Sequence, residues 1–191
     1  MRFEVVNRLN SAASSIEFPW GGASNGYLDL RESPLEIQRI EAARQNSPLA
    51  GMLAATNSPP SIFCTLRAKV AQERNEKESP DDAEQFFSRI DFIFAYPSLN
   101  SGSAHAEDAA RRIVDLWMKD DAAAHLQARL EILPCRFVAQ NASGAALRII
   151  LTARGNSAGQ ARMRWGLGIA RLQQSLLFVS RAMRQKLAIE D

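Results

Sequence analysis

The hydrophobic pattern is clearest in the second half of the chain. From Ala104 to Lys119, Ala109, Ile113, Leu116 and Trp117 recur at i, i+4, i+7 and i+8, while Glu107, Asp108 and Asp115 take other faces. That spacing predicts an amphipathic helix. Gln127 to Leu133 then alternates, with Ala128, Leu130 and Ile132 set against Gln127, Arg129 and Glu131, the period of a half-buried strand that Pro134 ends. Arg136 to Gln140 reads as a second short strand, Asn141-Ala142-Ser143-Gly144 as a turn, and Ala145 to Ala153 as a central strand. A further turn leads to a long helix, Ala158 to about Arg184, capped by Asn156 or Ser157. Gly166 and Gly168 weaken that helix by roughly 1 kcal/mol each relative to alanine. Lys186 to Glu190 closes the pattern as a last short strand. The order predicts an α+β domain over residues 104–191, a small antiparallel sheet packed by two helices.

The first half reads as a largely helical or irregular region over residues 1–103. Asn7, Asn10, Ser11, Ser14, Ser15, Pro19, Gly21 and Gly22 favour irregular backbone up to about Asn25, although Phe3, Val5, Val6, Ile16, Phe18 and Trp20 are available for docking. Ser33-Pro34, with Glu36 in position for a capping box, starts a helix that runs to about Gln45. A second helical segment spans Pro48 to Ala55 and stops before Pro59-Pro60. Phe63, Leu66 and Val70 fall loosely at helical spacing, so Ser61 to Glu76 is expected as a third helix. The charged run from Glu73 to Glu84 is either a solvated linker or a helix end. Phe86, Phe87, Ile90, Phe92, Ile93, Phe94 and Tyr96 form the richest aromatic cluster, which needs covering by the C-terminal domain or by a partner. Pro97 to Ser103 is expected to be the linker between the two parts.

Charge changes the picture more than composition does. The net charge of +2 conceals a first half with 10 basic and 13 acidic residues and a second half with 13 basic and 8 acidic. Ile132 to Ile189 holds nine basic side chains and no carboxylate. No run approaches the 18 or so apolar residues of a membrane span, and the mixed N-terminal residues do not resemble a secretory leader, so a cytoplasmic protein is expected. Cys64 and Cys135 are then expected as reduced small hydrophobes.

Candidate catalytic chemistry is sparse. His105 has Glu107 and Asp108 beside it, which suits helix capping as readily as proton transfer. His105 and His125 lack third and fourth partners for a metal. Gly166-Leu167-Gly168 has no preceding strand and lies within a helix, unlike a phosphate loop. Asp120-Asp121 sits in a charged loop. No enzyme, metal or cofactor is expected. The acid-free helix carries Arg162, Arg164, Arg171, Arg181, Arg184 and Lys186, with Trp165 interleaved. A protein partner is the first reading of this row, the N-terminal half of the same chain fits it as well, and nucleic acid held through phosphate contacts is the alternative. Arg148, Arg162, Arg164, Arg171 and Trp165 are the candidate partner-binding residues.

Four strings in this half, Ile113-Val-Asp-Leu-Trp117, Leu126-Gln-Ala-Arg-Leu-Glu-Ile-Leu-Pro134, Ala146-Leu-Arg-Ile-Ile-Leu-Thr-Ala153 and Ala170-Arg-Leu-Gln-Gln-Ser-Leu176, resemble the C-terminal domain of the type III secretion needle-length regulators, relatives of flagellar hook-length control proteins that also switch substrate specificity. Leu133-Pro134, Leu147-Arg148-Ile149 and Leu172 with Leu176 take the family's positions, while Gly166, Gly168 and the late last strand depart from its pattern. The resemblance implies a protein partner, the cytoplasmic domain of the export-gate switch protein, and possible passage of the chain through the apparatus. A first half of only 103 residues suits a switch or accessory role better than a molecular ruler. A secretion chaperone, with its client on the Phe86–Tyr96 cluster, is a third reading.

Overall fold

The computed structural model describes residues 2–10, 15–18, 28–74, 82–118, 125–138 and 140–188. It is an α+β structure, as the pattern predicts, with strands β1 (Arg2–Asn7), β2 (Ile16–Phe18), β3 (Phe63–Arg74), β4 (Glu84–Phe94), β5 (Leu126–Phe137) and β6 (Ala142–Gly155). Helices α1 (Glu41–Gln45), α2 (Ser47–Thr56), α3 (Ala104–Met118) and α4 (Ala158–Leu187) complete it, with short 3₁₀ turns at Pro34–Arg39 and Pro97–Asn100. The sheet runs β1-β5-β6-β4-β3, and β2 lies beside the far end of β5.

Position 103 does not divide the molecule. β4 from the first half pairs antiparallel with β6 from the second, Asp91 opposite Arg148 and Phe92 opposite Leu147. One hydrophobic core joins Leu49, Leu53, Phe63 and Phe92 to Trp117, Leu130, Ile149 and Trp165. The expected linker is pinned by Asn100, whose amide accepts from Phe94 N and donates to Phe94 O, both at 2.8 Å, imitating a strand neighbour. A Cβ on Gly144 would come within 2.0 Å of Asn100 O, so only glycine lets β6 pass that close.

The first half is neither mainly helical nor irregular. Leu66, Ala68 and Val70 are half-buried between exposed Arg67 and Lys69, a period of two. That period, paired along β4, makes 63–74 a strand where Phe63, Leu66 and Val70 taken alone suggested a helix. The aromatic cluster is β4 itself. Phe86, Phe92 and Phe94 are buried in the core, Phe86 against Trp165, so the chain covers most of this cluster itself. Of the charged run, Glu73 and Arg74 end β3 and Glu84 begins β4. Its middle, 75–81, lies outside the described residues, as does Trp20.

The sheet is mixed rather than antiparallel, because β1 and β2 run parallel to β5 along its outer edge. Phe3 of β1 docks edge-on against Trp117, centroids 5.8 Å apart, which holds this N-terminal strand in place. β5 runs straight through Pro134, the residue expected to end it. β1 stops pairing at Ile132 and β2 starts at Cys135, so no parallel neighbour waits for the missing N–H. Asn141, at φ 49, turns β5 into β6.

α2, α3 and α4 cover one sheet face. Ser157 caps α4, its hydroxyl accepting from Gln160 N. The helix passes unbroken through both glycines. A Cβ on Gly168 would lie 2.8 Å from Leu151 Cδ2, and one on Gly166 3.3 Å from Pro48 Cγ, so the two positions admit the sheet and α2 respectively. Lys186 and Leu187 are the last turn of α4 rather than a strand, and Ala188 ends the helix at φ 50. Residues 189–191 of the expected strand lie outside the described residues. The helix expected at 34–45 is interrupted: Ile40 is extended between the 3₁₀ turn and α1, and Ser33 makes no side-chain cap.

Candidate binding surfaces

The five residues expected to meet a partner do not converge. Trp165 points inward, 1% exposed, its Nε1 donating to Ser88 Oγ at 3.0 Å. It cannot serve as a stacking platform on the surface. Arg162 donates to Gln45 O and lies over the Phe86 ring, 5.9 Å from the centroid. Arg164 donates to Arg154 O at 2.7 Å. Arg171 donates to Trp117 O at 3.2 Å and lies over that indole, 5.7 Å from its centroid. Much of the basic row therefore ties α4 to α1, β6 and α3. Arg184 and Lys186 do similar work, reaching Pro59 O at 3.3 Å and Asp108 Oδ2 at 3.3 Å. Burial pushes the Asp108 carboxyl upward, but hydrogen bonds from Lys186 and Arg112 hold it below its ordinary range.

Arg148 is on the opposite side of the sheet. Its Nε donates to Asp91 Oδ1 at 2.6 Å and its Nη2 to Asp91 Oδ2 at 3.0 Å. The Asp91 hydrogen bond and charge raise the guanidinium pKa further. Nη1 is also 3.8 Å from Glu131, which in turn takes Arg129 at 2.9 Å and Arg8 at 3.1 Å. Glu131, Arg148, Asp91 and Arg67 lie in one cross-strand row over β5, β6, β4 and β3. The alternation puts both carboxylates under arginines, with Asp91 1% and Glu131 6% exposed.

Two surfaces remain open. On the outward face of α4, Met163, Leu167 and Phe178 are 61%, 67% and 54% exposed. Ala170, Gln174 and Arg181 are exposed on the same face, which spans about five turns. On the helix-free sheet face, Arg67, Lys69 and Arg89 are exposed. Sequence reasoning missed this second group because β3 was read at helical period. The alternation of Arg67 and Lys69 with Leu66, Ala68 and Val70 was the available signal.

The remaining chemistry-bearing residues are dispersed. His105 lies edge-on to Phe94 with centroids 6.3 Å apart, and His125 Nδ1 is 3.8 Å from Asp82. Cys64 and Cys135 are free thiols in a small buried cluster with Ile16, Phe18, Ile93 and Leu133. Burial pushes Cys64 up to about 11 and Cys135 to about 12. Among the described residues no group of three potential ligands could hold a metal, and no helix is long and apolar enough to cross a membrane. Asp120 and Asp121 lie outside the described residues. The chain matches no family model, no curated protein and no solved structure.

Proposed function

We propose that this chain is a non-enzymatic regulator that docks a protein partner on the outward face of α4. The carrying observation is the exposed stripe of Met163, Leu167 and Phe178 on a helix whose inner residues are fully packed. Large apolar side chains in line on an amphipathic helix are a usual mark of a partner surface. α4 contains six basic residues and no acidic one, which disfavours a second copy packed helix to helix and favours an acidic amphipathic segment. The resemblance of 113–178 to the needle-length regulators supplies the identity of the partner, an export-gate component of a type III secretion apparatus. Nucleic acid along α4 loses support, since Trp165, the aromatic interleaved with its arginines, is inside the core and most of those arginines reach carbonyls or rings of the same chain.

The test is a binding titration of the full chain with a purified export-gate cytoplasmic domain. Leu167→Asp and Phe178→Asp, both at exposed positions, should weaken binding at least about tenfold, a loss of about 1.4 kcal/mol, with unchanged thermal unfolding. Absence of binding by the unaltered chain, or equal binding by the variants, rejects the proposal.

A further inference from the structure

We infer that the helix-free face of the sheet is a second binding site, for single-stranded nucleic acid, laid across β3, β4 and β6. It is separated from the α4 stripe by the sheet and the core, so either surface can fail its test without the other.

The first observation is a like-charge pair. Lys69 and Arg89 stand directly opposite each other in the β3–β4 register, and both are exposed. Cross-strand pairs of one sign repel, and sheets ordinarily place opposite charges or neutral residues there. Two positions along, Arg67 is opposite Asp91, yet Asp91 is already held by both nitrogens of the Arg148 fork. Arg67 therefore adds a third exposed cation rather than neutralising an acid.

The second observation is where the carboxylates are. Asp91 and Glu131 are the acidic residues at the centre of this face, and both lie beneath guanidinium groups. Over β3 and β4 an approaching polyanion meets Arg67, Lys69 and Arg89 first. On β5, across Ile150 from Arg89, Arg129 is paired with buried Glu131 and with exposed Glu4 of β1, so the open patch ends at β6.

The third observation selects the kind of polyanion. Phe87 and Ile150 are half-buried on this same face, next to Arg89 along β4 and across on β6. A sheet face offering cations about 6.8 Å apart along a strand and about 4.8 Å apart between strands matches an extended phosphate backbone. The Phe87 ring, one row beyond Lys69 and Arg89 and opposite Ala71 and Thr152, gives an unpaired base a face to stack on, which a duplex or an acidic peptide does not use. Most of the basic row suspected on α4 is taken up by internal contacts, with Arg181 left exposed there, whereas Arg67, Lys69 and Arg89 are exposed together on this face.

The experiment is fluorescence anisotropy of the full chain with a labelled oligothymidylate, repeated over a salt series. Binding should fall steeply with salt, with each lost single-strand phosphate contact reducing the log–log slope by about 0.7. The double variant Lys69→Gln, Arg89→Gln should lose at least about tenfold in affinity and about 1.4 in slope, while Arg181→Gln on α4 changes neither. Lys69→Glu, which converts the like pair to an opposite one and so keeps the strand paired, should lose binding as well. Phe87→Leu should lose affinity without altering the slope. No binding at low salt, equal losses in the Arg181 variant, equal affinity for duplex, or equally good competition by oligoglutamate would each overturn the inference.

Discussion

Arg148 and Asp91 face each other across β6 and β4 and make two hydrogen bonds, 2.6 and 3.0 Å, with the carboxylate only 1% exposed. The pair joins a strand from each half of the chain on the sheet face that has no helices. Arg148→Ala would leave Asp91 charged and buried, at a cost of about 3–5 kcal/mol. Replacing both residues together, Asp91→Val with Arg148→Leu, should recover most of that loss, since a buried ion pair is often matched by apolar packing. Urea unfolding of the two variants checks this, and similar losses in both would refute it.

Two glycines should respond oppositely to alanine. Gly144→Ala brings a Cβ against Asn100 O, which is backbone and cannot yield as a side-chain tip can, so about 1–3 kcal/mol should be lost. Gly159→Ala, in the first turn of α4 with nothing within 4 Å, should add about 0.5–1 kcal/mol. Denaturation midpoints of the single variants provide the comparison. A neutral Gly144 variant would mean that the Asn100 bridge is not what holds the 97–103 segment.

The buried thiols make stability depend on alkaline pH. Burial raises Cys64 to about 11 and Cys135 to about 12, so the folded chain keeps protons that an unfolded thiol releases near 9. The unfolded state therefore binds fewer protons above pH 9, and folding stability falls as pH rises towards 11. The slope is at most about 1.4 kcal/mol per pH unit for each thiol. Below pH 8 both states are protonated and the thiols contribute no slope. Unfolding free energies of the unaltered chain and of Cys64→Ala with Cys135→Ala, measured from pH 8 to about 10.5, should diverge in slope. Parallel curves would contradict the prediction.

Some of these elements were legible in the residues because their signals are local. α3 was given by the spacing of Ala109, Ile113 and Trp117, and α4 by its apolar steps and the Ser157 cap. β6 and the Asn141 turn were equally plain. β3 was not, because Phe63, Leu66 and Val70 fall at a helical step, and only pairing with β4, irregular between Thr65 and Arg67, puts Phe63 and Val70 against the main core and Leu66 against the smaller cluster. Pro134 misled for a related reason: a proline stops a strand only where a neighbour needs its N–H, and that neighbour is set by β1 and β2.

The candidate site divides the same way. Sequence alone established an acid-free, arginine-rich stretch from Ile132 to Ile189 and the amphipathic helix that carries most of its charge. It could not say which arginines are free, because that depends on carbonyls and rings distant in the chain, such as Gln45 O for Arg162 and Trp117 for Arg171. The tertiary structure also closed residues 1–103 and 104–191 into one sheet and turned Trp165 inward. It also set Lys69 opposite Arg89, a register that the alternation within β3 alone does not reveal. Periodicity is a property of a few neighbouring residues, whereas strand register, burial and ion pairing belong to segments that meet only when the chain is folded.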